Sequence, residues 1–236
     1  MAEAISALEG EYNIRARHPE HQSVRDGWAK GCALAKANFA WHEDLRYGPE
    51  VRQTLALFPA HVAGAPLLIF IHGEYWQAND KTNYGFIADP VVSAGGATGQ
   101  YQLWLGAELL ATDWPAFGVP ASLVRGITAI SGVFDLAPLI ETSINDKLGL
   151  DQKSARQCSP LFHSPTNSAP VTVAVGGDET KEFLRQAKSY TACCQTAGCA
   201  ANLLILNGFN HYTILNQMSD DNATLMRAVL HQMDLA

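Results

Sequence analysis

The sequence predicts an α/β fold: a mostly parallel sheet with helices on both faces. Three observations predict it. Short apolar runs recur along the chain, each bounded by turn residues, as strands buried on both faces read. Each run ends in a glycine-bearing loop with polar residues. Amphipathic stretches follow the later runs, so strands and crossover helices alternate.

Taken in order, residues 1–46 are polar and read as a helical N-terminal extension lying over the core. Tyr47-Gly48-Pro49 is a turn, and residues 52–58 (RQTLALF) alternate enough for an outer strand. Residues 66–71 (PLLIFI) run into His72-Gly73 and read as a strand covered on both faces. Residues 126–130 (GITAI) end at Ser131-Gly132, 171–175 (VTVAV) at Gly176-Gly177-Asp178, and 202–206 (NLLIL) at Asn207-Gly208. The stretch 179–197 carries Phe183, Ala187 and Tyr190 on one side of a helix, and 222–233 reads as another. A single domain spanning 1–236 is expected, because 236 residues suffice for one sizeable core.

Composition narrows the partners. Hydrophobic residues make up 47% and charged residues 17%, ordinary for a packed domain. A net charge of −7 without a basic stripe argues against nucleic acid. The N-terminus lacks a signal-peptide pattern and no apolar run is long enough to span a bilayer, so a cytoplasmic protein without membrane partners is expected. The five cysteines, Cys32, Cys158, Cys193, Cys194 and Cys199, contain no CxxC pair and no metal-ligand spacing, so reduced thiols and no metal are expected.

Chemistry gathers at the carboxyl ends of strands in such sheets, and three motifs fall there. His72-Gly73-Glu74-Tyr75-Trp76 follows its strand directly; it fits a loop presenting backbone N–H groups to an oxyanion, or a plain strand-to-helix turn with packed aromatics. Asp178 follows one strand and His211 the next, 33 residues later, which suits one strand–helix–strand step. A carboxylate there could orient the imidazole; the alternatives are a helix-capping aspartate and a surface histidine.

The runs IFIHGEYWQANDK (69–81), LLATDWPAFGVP (109–120), AISGVFDLAPL (129–139), TSINDKLGLD (142–151), VAVGGDE (173–179) and GFNHYTIL (208–215), with EYNIRARHPEH near the start, resemble the kynurenine formamidase (arylformamidase) branch of the α/β-hydrolases. That resemblance implies an α/β-hydrolase fold and a serine-type acyl-enzyme mechanism on a carboxylic ester or an aryl formamide such as N-formyl-kynurenine, in tryptophan catabolism. It gives His72, Gly73 and position 74 to the oxyanion loop, Asp178 to the acid and His211 to the base. Tyr75 and Trp76 then line the substrate pocket. No cofactor is implied; the expected partner is a small aromatic ester or amide, and the expected assembly a homodimer.

Two departures stand out. The family loop reads His-Gly-Gly-Tyr-Trp, whereas Glu74 stands here. The family also carries a Gly-x-Ser-x-Gly elbow before the LLATDWP-like helix, and no such motif occurs in this sequence. Only 35 positions separate Glu74 from Leu109, too few for two strand–helix units, so about one strand and one crossover are missing or replaced. Ser93, in Val92-Ser93-Ala94-Gly95-Gly96, keeps the second half of an elbow and is the candidate nucleophile, although that run also reads as a helix-ending loop. Ser131 lies at a strand end but in the run that follows the elbow helix in the family. The competing function is a catalytically inactive relative that binds a small aromatic ligand or a protein partner.

Overall fold

The computed structural model describes residues 7–236 except 52, 74, 76–79, 102–111, 119, 121, 164 and 166–168, and the backbone alone of Tyr101. Along the described chain come α1 (Ala7–Tyr12), α2 (Ile14–Arg17), α3 (His21–Asn38), β1 (His42–Arg46), β2 (Thr54–Phe58), β3 (Leu67–Ile71), α4 (Ala88–Ser93) and β4 (Ala97–Tyr101). Then follow β5 (Ile127–Ile130), α5 (Asn145–Leu148), α6 (Gln152–Cys158), β6 (Val171–Gly176), α7 (Lys181–Thr196), β7 (Ala201–Leu206) and α8 (Thr224–Gln232), with 3-10 turns between them. No described helix is long and apolar enough to cross a membrane. The chain divides into two compact units, residues 1–21 with 106–214, and residues 22–105 with 215–236.

The unit built on 106–214 holds the parallel sheet β5-β6-β7. Its middle strand, Val171-Thr-Val-Ala-Val-Gly176, is buried at every position. β-Branched valines suit an extended backbone covered on both faces. Helix α7 crosses from β6 back to β7 and buries Phe183, Ala187, Tyr190 and Cys194, one stripe at helical spacing. Its Thr180 is the N-cap, accepting from the Phe183 N–H, which removes one unpaired donor from the first turn. Buried Gln186 ties the loop after β5 to this helix: its Oε1 accepts from the N–H groups of Phe134 (2.6 Å) and Asp135 (2.8 Å), and its Nε2 donates to the Asp135 carbonyl (3.1 Å). The rings of Phe134 and Tyr190 stack at 4.1 Å beside it.

Helices α1 and α2 dock on this same unit. The Glu11 carboxylate accepts from the Glu182 N–H at 3.0 Å, and the Thr180 hydroxyl donates to the Glu11 carbonyl at 3.0 Å. An anion at the first turn of a helix meets both free N–H groups and the positive end of the dipole. Tyr12 is fully buried; its hydroxyl donates to Glu182 (2.8 Å) and accepts from Gln186 (2.6 Å). Burial, and then the Glu182 carboxylate, push the Tyr12 phenol up.

Two carboxylates in this interface give it an acid limit. The Arg185 guanidinium, bonded at 2.8 Å, lowers the Glu182 pKa against burial, with Tyr12 assisting. Burial raises that of Glu9, but hydrogen bonds from the Ser143 and Asn13 side chains and the Ser143 N–H bring it below the ordinary 4.5. A carboxyl whose folded pKa is depressed binds its proton more readily when unfolded, so its contribution is present above about 4.5 and lost as pH falls through the folded value. We therefore expect unfolding free energy to decline below pH 4.5, and Glu182→Gln to flatten that decline in urea titrations at pH 3.5 and 6. An unchanged slope would exclude this assignment.

The other unit carries a four-stranded sheet, β1-β2-β4-β3, with β1–β2 and β2–β4 antiparallel and β3–β4 parallel. The helical reading of residues 1–46 therefore ends at Asn38, and His42–Arg46 is an edge strand, pairing Arg46 with Thr54. Residues 54–58 lie inside the sheet between β1 and β4, not at its outer edge, and alternate strictly buried and half-buried. Phe58, Ala35, Ala88 and Val92 form the core here, with Phe39 and Trp41 against it. Buried Lys81 pairs with Asp44 at 2.9 Å, so its charge is not left unpaired in the interior. Strand β3 departs from expectation. Leu67 and Ile69 lie two positions apart and so share one face, and each is 46% exposed: among the described residues that face of β3 is not covered.

Candidate active site

The site is built where β6 and β7 end side by side. Leu206 pairs with Gly176, and the chain turns at both places: Gly176-Gly177-Asp178-Glu179 leads into α7, and Asn207-Gly208-Phe209-Asn210 leads to His211. The two turns interlock through backbone bonds, Gly177 N–H to the Leu206 carbonyl (2.7 Å) and Asp178 N–H to the Phe209 carbonyl (3.1 Å). That approach needs glycine. A Cβ at Gly176 would collide with the Phe209 carbonyl oxygen, and one at Gly177 would lie 2.7 Å from Asn207 Oδ1.

His211 Nδ1 lies 2.8 Å from Oε2 of Glu179, whose side chain is fully buried while that of the histidine is 24% exposed. An ionised carboxylate only accepts, so this contact places the proton on Nδ1 and leaves Nε2 with a lone pair. The other oxygen of Glu179, Oε1, accepts from the Ser131 hydroxyl at 2.5 Å and from the Gly176 N–H at 2.8 Å. Both oxygens of this buried carboxylate thus face hydrogen-bond partners, two on Oε1 and His211 on Oε2, as a dry anion requires. The Phe183 ring packs on the imidazole, centroids 4.8 Å apart. Asn210 fixes the backbone just after His211, its Oδ1 accepting from the N–H groups of Tyr212 and Thr213, both at 3.0 Å.

The carboxylate expected beside His211 and the one observed there differ by a single position. Asp178 is exposed on the outside of the turn, and the carboxylate on His211 belongs to Glu179. Residue 178 faces outward where the chain turns; the longer side chain of 179 folds back over Gly176. Thr180, as N-cap of α7, also takes the role that Asp178 was offered as an alternative. Ser131 stands just past β5 with φ +49°, a backbone region costing roughly 1–3 kcal/mol for a non-glycine residue.

The glycine loop and Ser93 belong to the other unit. His72 follows β3 directly, its ring stacked on Tyr84 with centroids 5.5 Å apart and planes 7° apart. Gly73 is exposed with open space where a Cβ would be, and Tyr75 has φ +50°. Glu74 and Trp76 lie outside the described residues. Ser93 is the last residue of α4, exposed, its hydroxyl donating to Asp89 at 3.1 Å; it ends a helix and not a strand. Among the described residues no group of three or more His, Cys, Asp or Glu side chains could hold a metal.

Similar architectures are found among esterases. A candidate thioesterase from Silicibacter sp. superimposes with a TM-score of 0.76 over 95% of this chain and 98% of its own, at 23% identity. Esterase B from Lactobacillus rhamnosis superimposes at 0.60, over 93% and 96%, and an esterase of the bacterial hormone-sensitive lipase family at 0.61, over 91% and 98%, each at 15% identity. No protein-family model matches the chain. The protein therefore has the α/β-hydrolase fold. In sequence it is similar to kynurenine formamidases of Danio rerio (26% identical, over 79% of this chain and 80% of that protein) and Drosophila melanogaster (25%, over 78% and 79%). It is a distant homologue of the kynurenine formamidases.

Proposed function

We propose that the protein is a hydrolase of carboxylic esters or aryl formamides, N-formyl-kynurenine among them, with His211 as general base and Glu179 as the carboxylate that orients it. One observation carries this: the 2.8 Å contact between a fully buried Glu179 and Nδ1 of a half-buried His211 at adjoining strand ends. In a serine-type mechanism Nε2 takes the proton of the attacking hydroxyl, and the imidazolium that forms is stabilised by Glu179. The sequence resemblance gives the backbone N–H groups at Gly73 the part of oxyanion donors, and gives Tyr75 and Trp76 that of aryl-pocket residues. Ser93 is the attacking hydroxyl taken from the sequence; it must leave Asp89 to act. The distant kynurenine formamidase homologues support a formamide or aryl ester as substrate, and with it a role in cytoplasmic tryptophan catabolism.

A second reading has its own support. No Gly-x-Ser-x-Gly occurs, Ser93 ends a helix, and the Ser131 hydroxyl is held by Glu179. A protein that kept the pair but lost the nucleophile would bind an aromatic amide without turnover. Incubation with N-formyl-kynurenine and aryl acetates, followed by fluorophosphonate labelling, separates the two. The hydrolase predicts turnover lost by at least about 10³-fold in His211→Ala and a labelled serine lost in Ser93→Ala. Saturable binding with no turnover overturns the hydrolase in favour of the binding protein.

A further inference from the structure

We propose that Ser131 is a positioning residue of the His211–Glu179 pair: its hydroxyl holds Glu179 in the orientation that fixes the imidazole tautomer. The carboxylate sits across two neighbouring strand ends. From β6 it receives the Gly176 N–H, and from just past β5 the Ser131 hydroxyl, both on Oε1. With Oε1 claimed twice, Oε2 is the oxygen presented to His211 Nδ1. The Gly176 donor lies three residues from Glu179 in one turn and follows it wherever the turn moves. Ser131 is 48 residues away and ties the side chain to a different strand.

That anchor is itself fixed. The Ser131 N–H donates to the Ala174 carbonyl at 2.8 Å, a bond across to β6. The chain beyond it is held by Gln186 at Phe134 and Asp135, and by the Ser159 hydroxyl, which accepts from the Leu136 N–H at 2.8 Å. Ser131 keeps a left-handed backbone there, a conformation glycine adopts without cost. A serine at such a place is explained by its hydroxyl. The same bond removes Ser131 from the hydroxyls available for attack, since its proton is committed to the carboxylate on the far side of the ring from Nε2.

The inference rests on the proposed roles of Glu179 and His211, and its main test needs no turnover. Ser131→Gly deletes the hydroxyl and suits the backbone, so it is expected to fold and to melt close to the unaltered protein. In ¹⁵N-histidine-labelled protein, neutral His211 is expected as the Nδ1–H tautomer. In Ser131→Gly the Nε2–H form should rise roughly tenfold, with a weakened downfield Nδ1–H resonance. If hydrolysis is measurable, kcat should fall about tenfold with KM unchanged. An identical His211 spectrum in Ser131→Gly overturns the inference, as does a fluorophosphonate adduct on Ser131. Failure of the hydrolase reading is a different result: no turnover at all, with the tautomer change still present.

Discussion

Glu179→Gln is expected to lower kcat by about 10³- to 10⁴-fold, while Asp178→Asn changes it less than about twofold. The reason lies in which atom the turn accepts. Oε1 of Glu179 faces two donors, the Ser131 hydroxyl and the Gly176 N–H. A glutamine must put its carbonyl oxygen there and its NH2 toward His211. Facing a donor, Nδ1 becomes the acceptor and the proton moves to Nε2, where the proposed base needs its lone pair. Shape and packing survive; the tautomer is wrong. Steady-state kinetics on an aryl ester for both variants decide the matter, and a larger loss in Asp178→Asn than in Glu179→Gln would return the acid to position 178.

The second large effect is on stability. Gly176→Ala places a methyl group against the backbone of Phe209, which no rotamer change relieves. One turn must move away from the other, at a cost of about 3 kcal/mol, and Tm should fall by roughly 6–12 °C. The same displacement carries His211 off Glu179, so activity should drop more than folding alone accounts for. Gly27→Ala, in α3 with open space around it, is the control and should leave Tm unchanged or slightly higher. A Gly176→Ala protein melting within about 2 °C of the original would disprove the interlocked turns.

Much of this was legible in the residues. Val171–Gly176 and Lys181–Thr196 declare themselves by valine content and by the spacing of Phe183, Ala187 and Tyr190, and His211 by its place just beyond a strand. Other features depend on geometry that no local pattern encodes. Asp178 and Glu179 are adjacent carboxylates, and only the path of the turn decides which folds inward. The hint available was Thr180, a better N-cap than Asp178 for a helix starting at Lys181, which frees the residue between them for another task. Ser131 carries no local signal at all, because its partner is 48 positions away. Strand β3 reads as doubly covered from Leu-Leu-Ile-Phe-Ile alone, yet coverage of a face comes from the layer packed on it, and among the described residues the face of Leu67 and Ile69 is open.

The docking of Glu11 and Tyr12 on the first turn of α7 has a practical side. The segment they belong to is sequence-distant from Glu179 and His211, yet it grips Thr180, the residue directly after Glu179. Trimming the chain to a tidier start at Ile14 would remove an anion from the helix mouth and a buried ring beneath it, and would slacken the turn on which the carboxylate rides. Affinity tags and proteolytic clean-up sites therefore belong upstream of Glu9, whose own bonds to Ser143 fasten the strap at its outer end.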